Sequence, residues 1–221
     1  MGIPADTLPF LRELAANNNR EWFNEQKPRF VSLQKELLDM IEHLLGQVIQ
    51  RDPDFIGVEP KRCLFRIYKD ARFAKGVPYK THFGIHIVAS GHRADFERAG
   101  FYLHIEPGAS FIAGGAHSPR GEWLKRIRRE IALRGDDFEA VLNDKIFKKW
   151  FGELQGASLV RPPAGYSAES PHLELLKRKA MLVSHALSDA DVVDKKFISH
   201  CAKTFEIYQP FMDFLNAGER I

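Results

Sequence analysis

Cysteine is almost missing from this 221-residue chain. Two thiols, Cys63 and Cys201, cannot build a disulfide framework and do not form a CxxC pair. Both sit among apolar residues and read as small buried hydrophobes, Cys63 in a strand pattern and Cys201 in a helix pattern. No apolar run is long enough to span a bilayer, and no secretory apolar segment follows Met1. The expectation is a cytoplasmic protein with no membrane partner. Walker-type glycine loops, a GxSxG elbow and an HExxH pair are absent, which removes the motifs that would name a reaction. Repeats, low-complexity tracts and flexible linkers are absent too, so one domain over residues 1–221 is expected. Net charge is low, at +3 from 32 basic and 29 acidic side chains. A protein held to nucleic acid by bulk charge is usually more basic, so nucleic acid is only a weakly supported partner.

What the chain does have is bulk and local charge. Its 17 Phe supply a core. The segment from Lys61 to Thr81 holds seven Lys or Arg against one acid, Asp70, so it carries +6 while the remainder sums to −3. Such asymmetry points to an anion site.

Periodicity arranges the rest. Helices are expected from Asp6-Thr7 to the Asn17–Asn19 run, from Arg20 to a break at Pro28, and from Arg29 to Ile49. Asp6 and Asn18 read as N-caps. Strands are expected over Leu64–Tyr68, Phe83–Val88, Phe101–Glu106 and Ser110–Ala113, with Gly114-Gly115 breaking the sheet. Further helices follow Pro119, Asp136-Asp137 and Ser170, and Asp189–Asp194 starts the terminal one. An edge strand is expected at Leu159–Arg161 and another strand at Ala180–Ser184. The fold class is α+β, a mainly antiparallel sheet packed on one face by N- and C-terminal helices. Alternation puts Phe65, Phe83, Phe101 and Phe111 on the apolar face. The other face takes Arg66, Tyr68, His86, Tyr102, His104 and Glu106.

Four motifs carry a resemblance: NNREWFNEQK (Asn18–Lys27), RIYKDARFAKGVPYKTHFG (Arg66–Gly84), YLHIEPGASFIAGG (Tyr102–Gly115) and LELLKRKAMLVS (Leu173–Ser184). In this order they resemble the bacterial family called domain of unknown function 2461. The resemblance implies a soluble, single-domain protein and supplies no catalytic residues. Lys69 stands where the family pattern has Arg, and Ala74-Lys75-Gly76 varies its loop.

The leading reading is a binding protein for a phosphorylated or carboxylated small ligand. Arg66, Arg72 and Lys80 would hold the anion, with Lys69 and Lys75 around the same turn. Asp70 would orient an Arg, and Tyr79, Tyr102 and His104 would complete the site. The competing reading is a loop fixed by an Asp70 ion pair to Arg66 or Arg72. An alternative function is a phosphoester hydrolase, metal-assisted or not, with His86 or His104 as base and Glu106 as its orienter. His104 and Glu106 share a face of one strand, and His82 and His86 a face of its neighbour, so two His and a carboxylate could bind a divalent metal as a facial triad does. The competing reading is a hydrogen-bonded polar face with Glu106 accepting from Arg66 or Tyr102. Since the spacing matches no zinc signature, no metal or cofactor is assigned. The basic clusters Arg126–Arg129 and Lys177–Lys179 read as solvated helix faces, or as phosphate contacts in a nucleic-acid alternative. Oligomeric state is not legible.

Overall fold

The computed structural model describes residues 1–70, 72, 76–119 and 121–217. Helix α1 spans Thr7–Ala16, α2 Arg20–Glu25 and α3 Lys27–Ile49. Pro28 sits in the first turn of α3, where a missing amide donor costs nothing. Asp6 precedes α1 without capping it through its side chain; its carboxylate pairs with Arg29 at 2.6 Å instead. Asn19, one residue later than expected, caps α2 by accepting from the Trp22 amide at 2.9 Å.

A 3-10 turn at Pro53–Phe55 and a short helix α4 at Pro60–Cys63 lead into the sheet. The strand expected at Leu64–Tyr68 is reduced to two single bridges, Leu64 with Ile85 and Tyr68 with Tyr79. Pro60 pre-sets the first helical turn, so Cys63 ends a helix rather than opening a strand. Strands β1 (Phe83–Ile87), β2 (Gly100–Ile105), β3 (Ser110–Ala116) and β4 (Met181–Leu187) pair in that order in an antiparallel sheet. With the helices this is the expected α+β class. The β2–β3 connection turns at Pro107-Gly108, where Gly108 takes φ +73°.

Two expectations about β3 are corrected. Gly114 and Gly115 lie inside the strand and do not end it. The alternation is also shifted by one residue: Ile112 is buried, whereas Phe111 is half-buried and its ring stacks on His104, 4.6 Å between centroids. The cause is local. The Ser110 hydroxyl accepts from the Glu106 amide (3.0 Å) and donates to the Glu106 carbonyl (2.9 Å), which fixes Ser110 inward and Phe111 outward.

Helix α5 runs Gly121–Asn143 with a kink at Arg134, so the break falls before Asp136-Asp137. Helix α6 follows at Lys145–Phe151 and α7 at Leu173–Leu176. The stretch Leu159–Arg161 forms no strand; single bridges at Gln155 with Leu182 and Ser158 with Arg178 stand in its place. The terminal helix is split. Helix α8 (Asp189–Val193) has a Ser188–Asp191 capping box, and α9 runs Phe197–Asn216. Among the described residues no helix is long and apolar enough to cross a membrane.

By packing, the chain divides into two compact units. One comprises Met1–Arg93, Tyr102–Ile112 and Ala186–Lys203; the other comprises Ala94–Phe101, Ala113–His185 and the chain from Thr204 onward. In the first, Phe30 of α3 meets Phe10 (5.9 Å), Phe23 (5.2 Å) and Phe83 of β1 (6.4 Å). In the second, Phe205 of α9 packs edge-on to Phe101 of β2 at 5.9 Å, and Phe138 of α5 stacks on Phe214 at 4.2 Å. An N-terminal helix thus meets Phe83 of β1 in the first unit, and the C-terminal helix meets Phe101 of β2 in the second. Each buried Phe contributes roughly 1.5–3 kcal/mol. In the second unit Arg128 is half-buried, donating to the Leu176 and Arg178 carbonyls, and so is no part of a solvated face.

Candidate functional site

The chemistry of the first unit collects in two places, a groove beside α2 and a polar network on β2. The groove begins with Asn18. Its Oδ1 accepts from the Tyr79 amide and its Nδ2 donates to the Tyr79 carbonyl, both at 3.0 Å. Asn18 therefore acts as a one-residue strand partner, not as the expected helix cap. On the other side, Lys69 N donates to Pro78 O (2.9 Å) and Lys80 N to Ile67 O (2.8 Å). Tyr79 is held between these, and its ring stacks on Phe23 with centroids 4.0 Å apart. Tyr68 lies 5.4 Å from Tyr79 and stays 45 % exposed.

These residues wall a groove of about 640 Å³, within the roughly 300–1,000 Å³ typical of small-molecule sites. Asn19, Arg20 and Asn24 come from the cap and helix of α2; Tyr68, Lys69, Gly76, Pro78 and Tyr79 come from the basic segment. Arg20 and Lys69 are the charged side chains of that lining, and no carboxylate lines it among the described residues. Gly76 takes φ +81°, a turn that side-chain-bearing residues resist.

The expected anion ligands are spread over this region. Arg72 is exposed and bound to Asp70 through its amide and guanidinium (Nη2 to Oδ2, 2.7 Å), and these bonds hold the Asp70 carboxyl below its usual range. Arg62 pairs with Glu59 at 3.6 Å. Arg66 is exposed, outside both ion pairs. Lys80 is half-buried with Nζ over the Phe65 ring at 5.4 Å. Burial, then repulsion from Arg66 and Arg93, pushes its ammonium below the ordinary lysine range. Lys75 lies outside the described residues.

The polar network runs along one face of β2. Glu106 Oε1 accepts from Thr81 Oγ1 at 2.9 Å, and Oε2 lies 3.1 Å from His104 Nε2. His104 Nδ1 lies 3.0 Å from the Tyr102 hydroxyl. His82, just before β1, places its ring 4.2 Å from that of His104. A Cβ at Gly84 would come within 2.8 Å of the Tyr102 hydroxyl, so the bare backbone there makes room for the ring. Burial, then the neighbouring His104, brings His82 down to about 4. Burial raises the Tyr102 phenol. Burial also works against ionisation of Glu106, but hydrogen bonds from His104 and Thr81 outweigh it and hold the carboxyl below its usual value. A smaller cavity of about 250 Å³ opens beside Thr81 and Glu106, with Leu11, Arg12 and Pro107 on its other walls.

The structure thus joins Tyr102, His104 and Glu106 into one network. It places Tyr79 in the groove and leaves Arg66, Arg72 and Lys80 outside its lining. His86 is separate, its Nδ1 facing the Arg93 carbonyl at 2.9 Å. Lys69, one of the cations around the basic turn, enters the groove together with Arg20 and Asn24 of the helical junction, two residues that nothing in the sequence marks as ligands. Arg20 and Asn24 lie one helical turn apart, a spacing visible in NREWFN, but nothing in the sequence says which segment that face meets.

The family model described as a conserved hypothetical protein, DUF2461, matches residues 6–214. No curated protein matches the chain, and no solved structure does.

Proposed function

Because the chain belongs to the DUF2461 family, whose description names no reaction, we propose a function from the groove's own chemistry: it binds a small phosphorylated or carboxylated ligand that carries a flat ring. The observation that carries this reading is the lining itself. Two cations, Arg20 and Lys69, line it with no carboxylate among the described lining residues, beside the part-exposed Tyr68. An arginine fork and a lysine point charge suit phosphate or carboxylate oxygens. The Tyr68 ring offers a stacking platform, and Asn19 and Asn24 add amide donors and acceptors at the rim. Arg66 and Lys80 add positive potential around the same segment, which favours capture of an anion.

The test is calorimetric titration with phenyl phosphate, phenylacetate and inorganic phosphate. The expected result is saturable binding of phenyl phosphate, tighter than inorganic phosphate, and at least tenfold weaker in the Arg20→Ala/Lys69→Ala double variant. Both side chains lie at the surface or half-buried, so that variant should unfold at the wild-type temperature. Absence of binding by the wild type, or equal binding by the folded double variant, would remove the reading.

A further inference from the structure

We propose that His82, His104 and Glu106 form a binding site for one divalent first-row transition-metal cation. One nitrogen from each imidazole and one Glu106 oxygen all lie within 4.8 Å of one another. Two ligands on one such cation, each at about 2.1 Å, stand roughly 3.0–3.4 Å apart. His104 Nε2 and Glu106 Oε2 are 3.1 Å apart, already at that separation. The third donor needs only a turn of the His82 ring, which faces His104 and has no hydrogen bond among the described residues.

The surroundings match what ligating residues use. The Tyr102 hydroxyl sits on His104 Nδ1, and Thr81 Oγ1 sits on the Glu106 oxygen that faces away from His104. Such outer contacts orient metal ligands and fix the imidazole tautomer. On metal binding the proton that Nε2 shares with Glu106 in the free chain moves to Nδ1, which faces the Tyr102 oxygen, and the Nε2 lone pair goes to the cation. Phe111 stacks on His104 and limits its rotation. Of the three ligands, Glu106 lines the cavity beside Thr81, which gives its carboxylate a side open to solvent. Two imidazoles and one carboxylate favour Zn²⁺, Co²⁺, Ni²⁺ or Fe²⁺ over Mg²⁺ or Ca²⁺, which prefer oxygen alone. A self-contained hydrogen-bonded network accounts for His104 and Glu106 but gives His82 no role.

A second grouping, Asp136, Glu139 and His172, is the weaker site and serves as the control. There both His172 nitrogens already face carboxylates, at 3.5 and 3.1 Å, and Asp136 stands 95 % exposed.

The chain is stripped with chelator and titrated with Zn²⁺, and separately with Co²⁺ to read its visible absorption. The expected result is one equivalent bound, with a nitrogen- and oxygen-ligated Co²⁺ spectrum. His82→Ala should weaken Zn²⁺ at least tenfold, and His172→Ala should leave it unchanged. His82→Phe keeps the ring stack without a donor, so it reports on ligation if the alanine variant folds poorly. Failure of the wild type to bind micromolar Zn²⁺ overturns the proposal. So does binding that survives His82→Phe, or binding that disappears with His172→Ala.

Discussion

Asn18 and Tyr79, 61 positions apart, are tied amide to backbone by two hydrogen bonds of 3.0 Å. The pair joins the turn before α2 to the segment that ends the basic loop. Removing the amide leaves a part-buried N–H and C=O without partners, each costing about 1–3 kcal/mol when desolvated. Asn18→Ala should therefore lower stability by about 2 kcal/mol, seen as a lower urea midpoint at unchanged slope. Asn18→Asp should cost about as much, because a carboxylate cannot donate to the Tyr79 carbonyl. A wild-type midpoint in either variant would show that water satisfies Tyr79 equally well.

Gly114 and Gly115 give the second prediction. A Cβ at Gly114 would overlap the Tyr208 ring, and one at Gly115 would overlap the Met181 carbonyl oxygen. Gly115 also takes φ +121°. Tyr208 is fully buried and can yield only by losing its hydrogen bond to the Gly100 carbonyl, 3.1 Å. Gly115→Ala should be the harsher change, at least about 3 kcal/mol, since the clash is with backbone and the φ is strained as well. Gly114→Ala should fold with a loss of about 2–3 kcal/mol, checked by thermal unfolding. The reverse order would mean that β4 shifts more easily than Tyr208.

These glycines also show how far the sequence was legible. Gly-Gly reads as a strand end because nothing local says that a tyrosine 94 residues later needs the vacant space. The strand at Leu64–Tyr68 was misread for a similar reason: its alternation is genuine, but Pro60 upstream and Tyr79 downstream leave only single bridges. Long periodic elements such as α3, and β1 and β2, were legible because hydrophobic spacing alone determines them. At the site, Tyr102, His104 and Glu106 were legible as one face of one strand. That Arg20 and Lys69 line one groove is not legible, because it depends on Asn18 clasping Tyr79, a tertiary contact with no spacing signature.

Gly84 and Tyr102 supply a prediction about the polar network. An alanine methyl at position 84 meets the Tyr102 hydroxyl at 2.8 Å and Phe65 at 3.3 Å. Moving the hydroxyl breaks its contact with His104 Nδ1, so Gly84→Ala should cost about 1–2 kcal/mol. Tyr102→Phe should cost a similar amount by leaving His104 Nδ1 without its partner. The two should not add. In the Tyr102→Phe background the alanine meets no hydroxyl, and its cost should fall by at least half in a double-mutant cycle. Strict additivity would place the strain on Phe65 instead.

The last prediction concerns acid. Arg29 is half-buried between Asp6 and Glu13, at 2.6 Å from each, with its guanidinium 5.5 Å from the Phe10 ring centroid. Its hydrogen bonds hold the Glu13 carboxyl below the usual value. A carboxyl with a depressed folded-state pKa binds protons more weakly folded than unfolded. Its contribution is then complete above about 4.5, the ordinary carboxyl range, and disappears as pH falls through the lower folded value. Arg29→Met keeps an apolar stem over Phe10 and removes the charge. At pH 7 it should lose about 1–2 kcal/mol, discounted because Glu13 is largely exposed. Below pH 4 the gap to wild type should narrow, since Glu13 becomes neutral in both proteins. Chemical denaturation at pH 7, 5, 4 and 3 measures the gap directly. A gap that stays constant over that range would mean that Arg29 stabilises the α1–α3 contact through packing on Phe10, and that its charge contributes nothing.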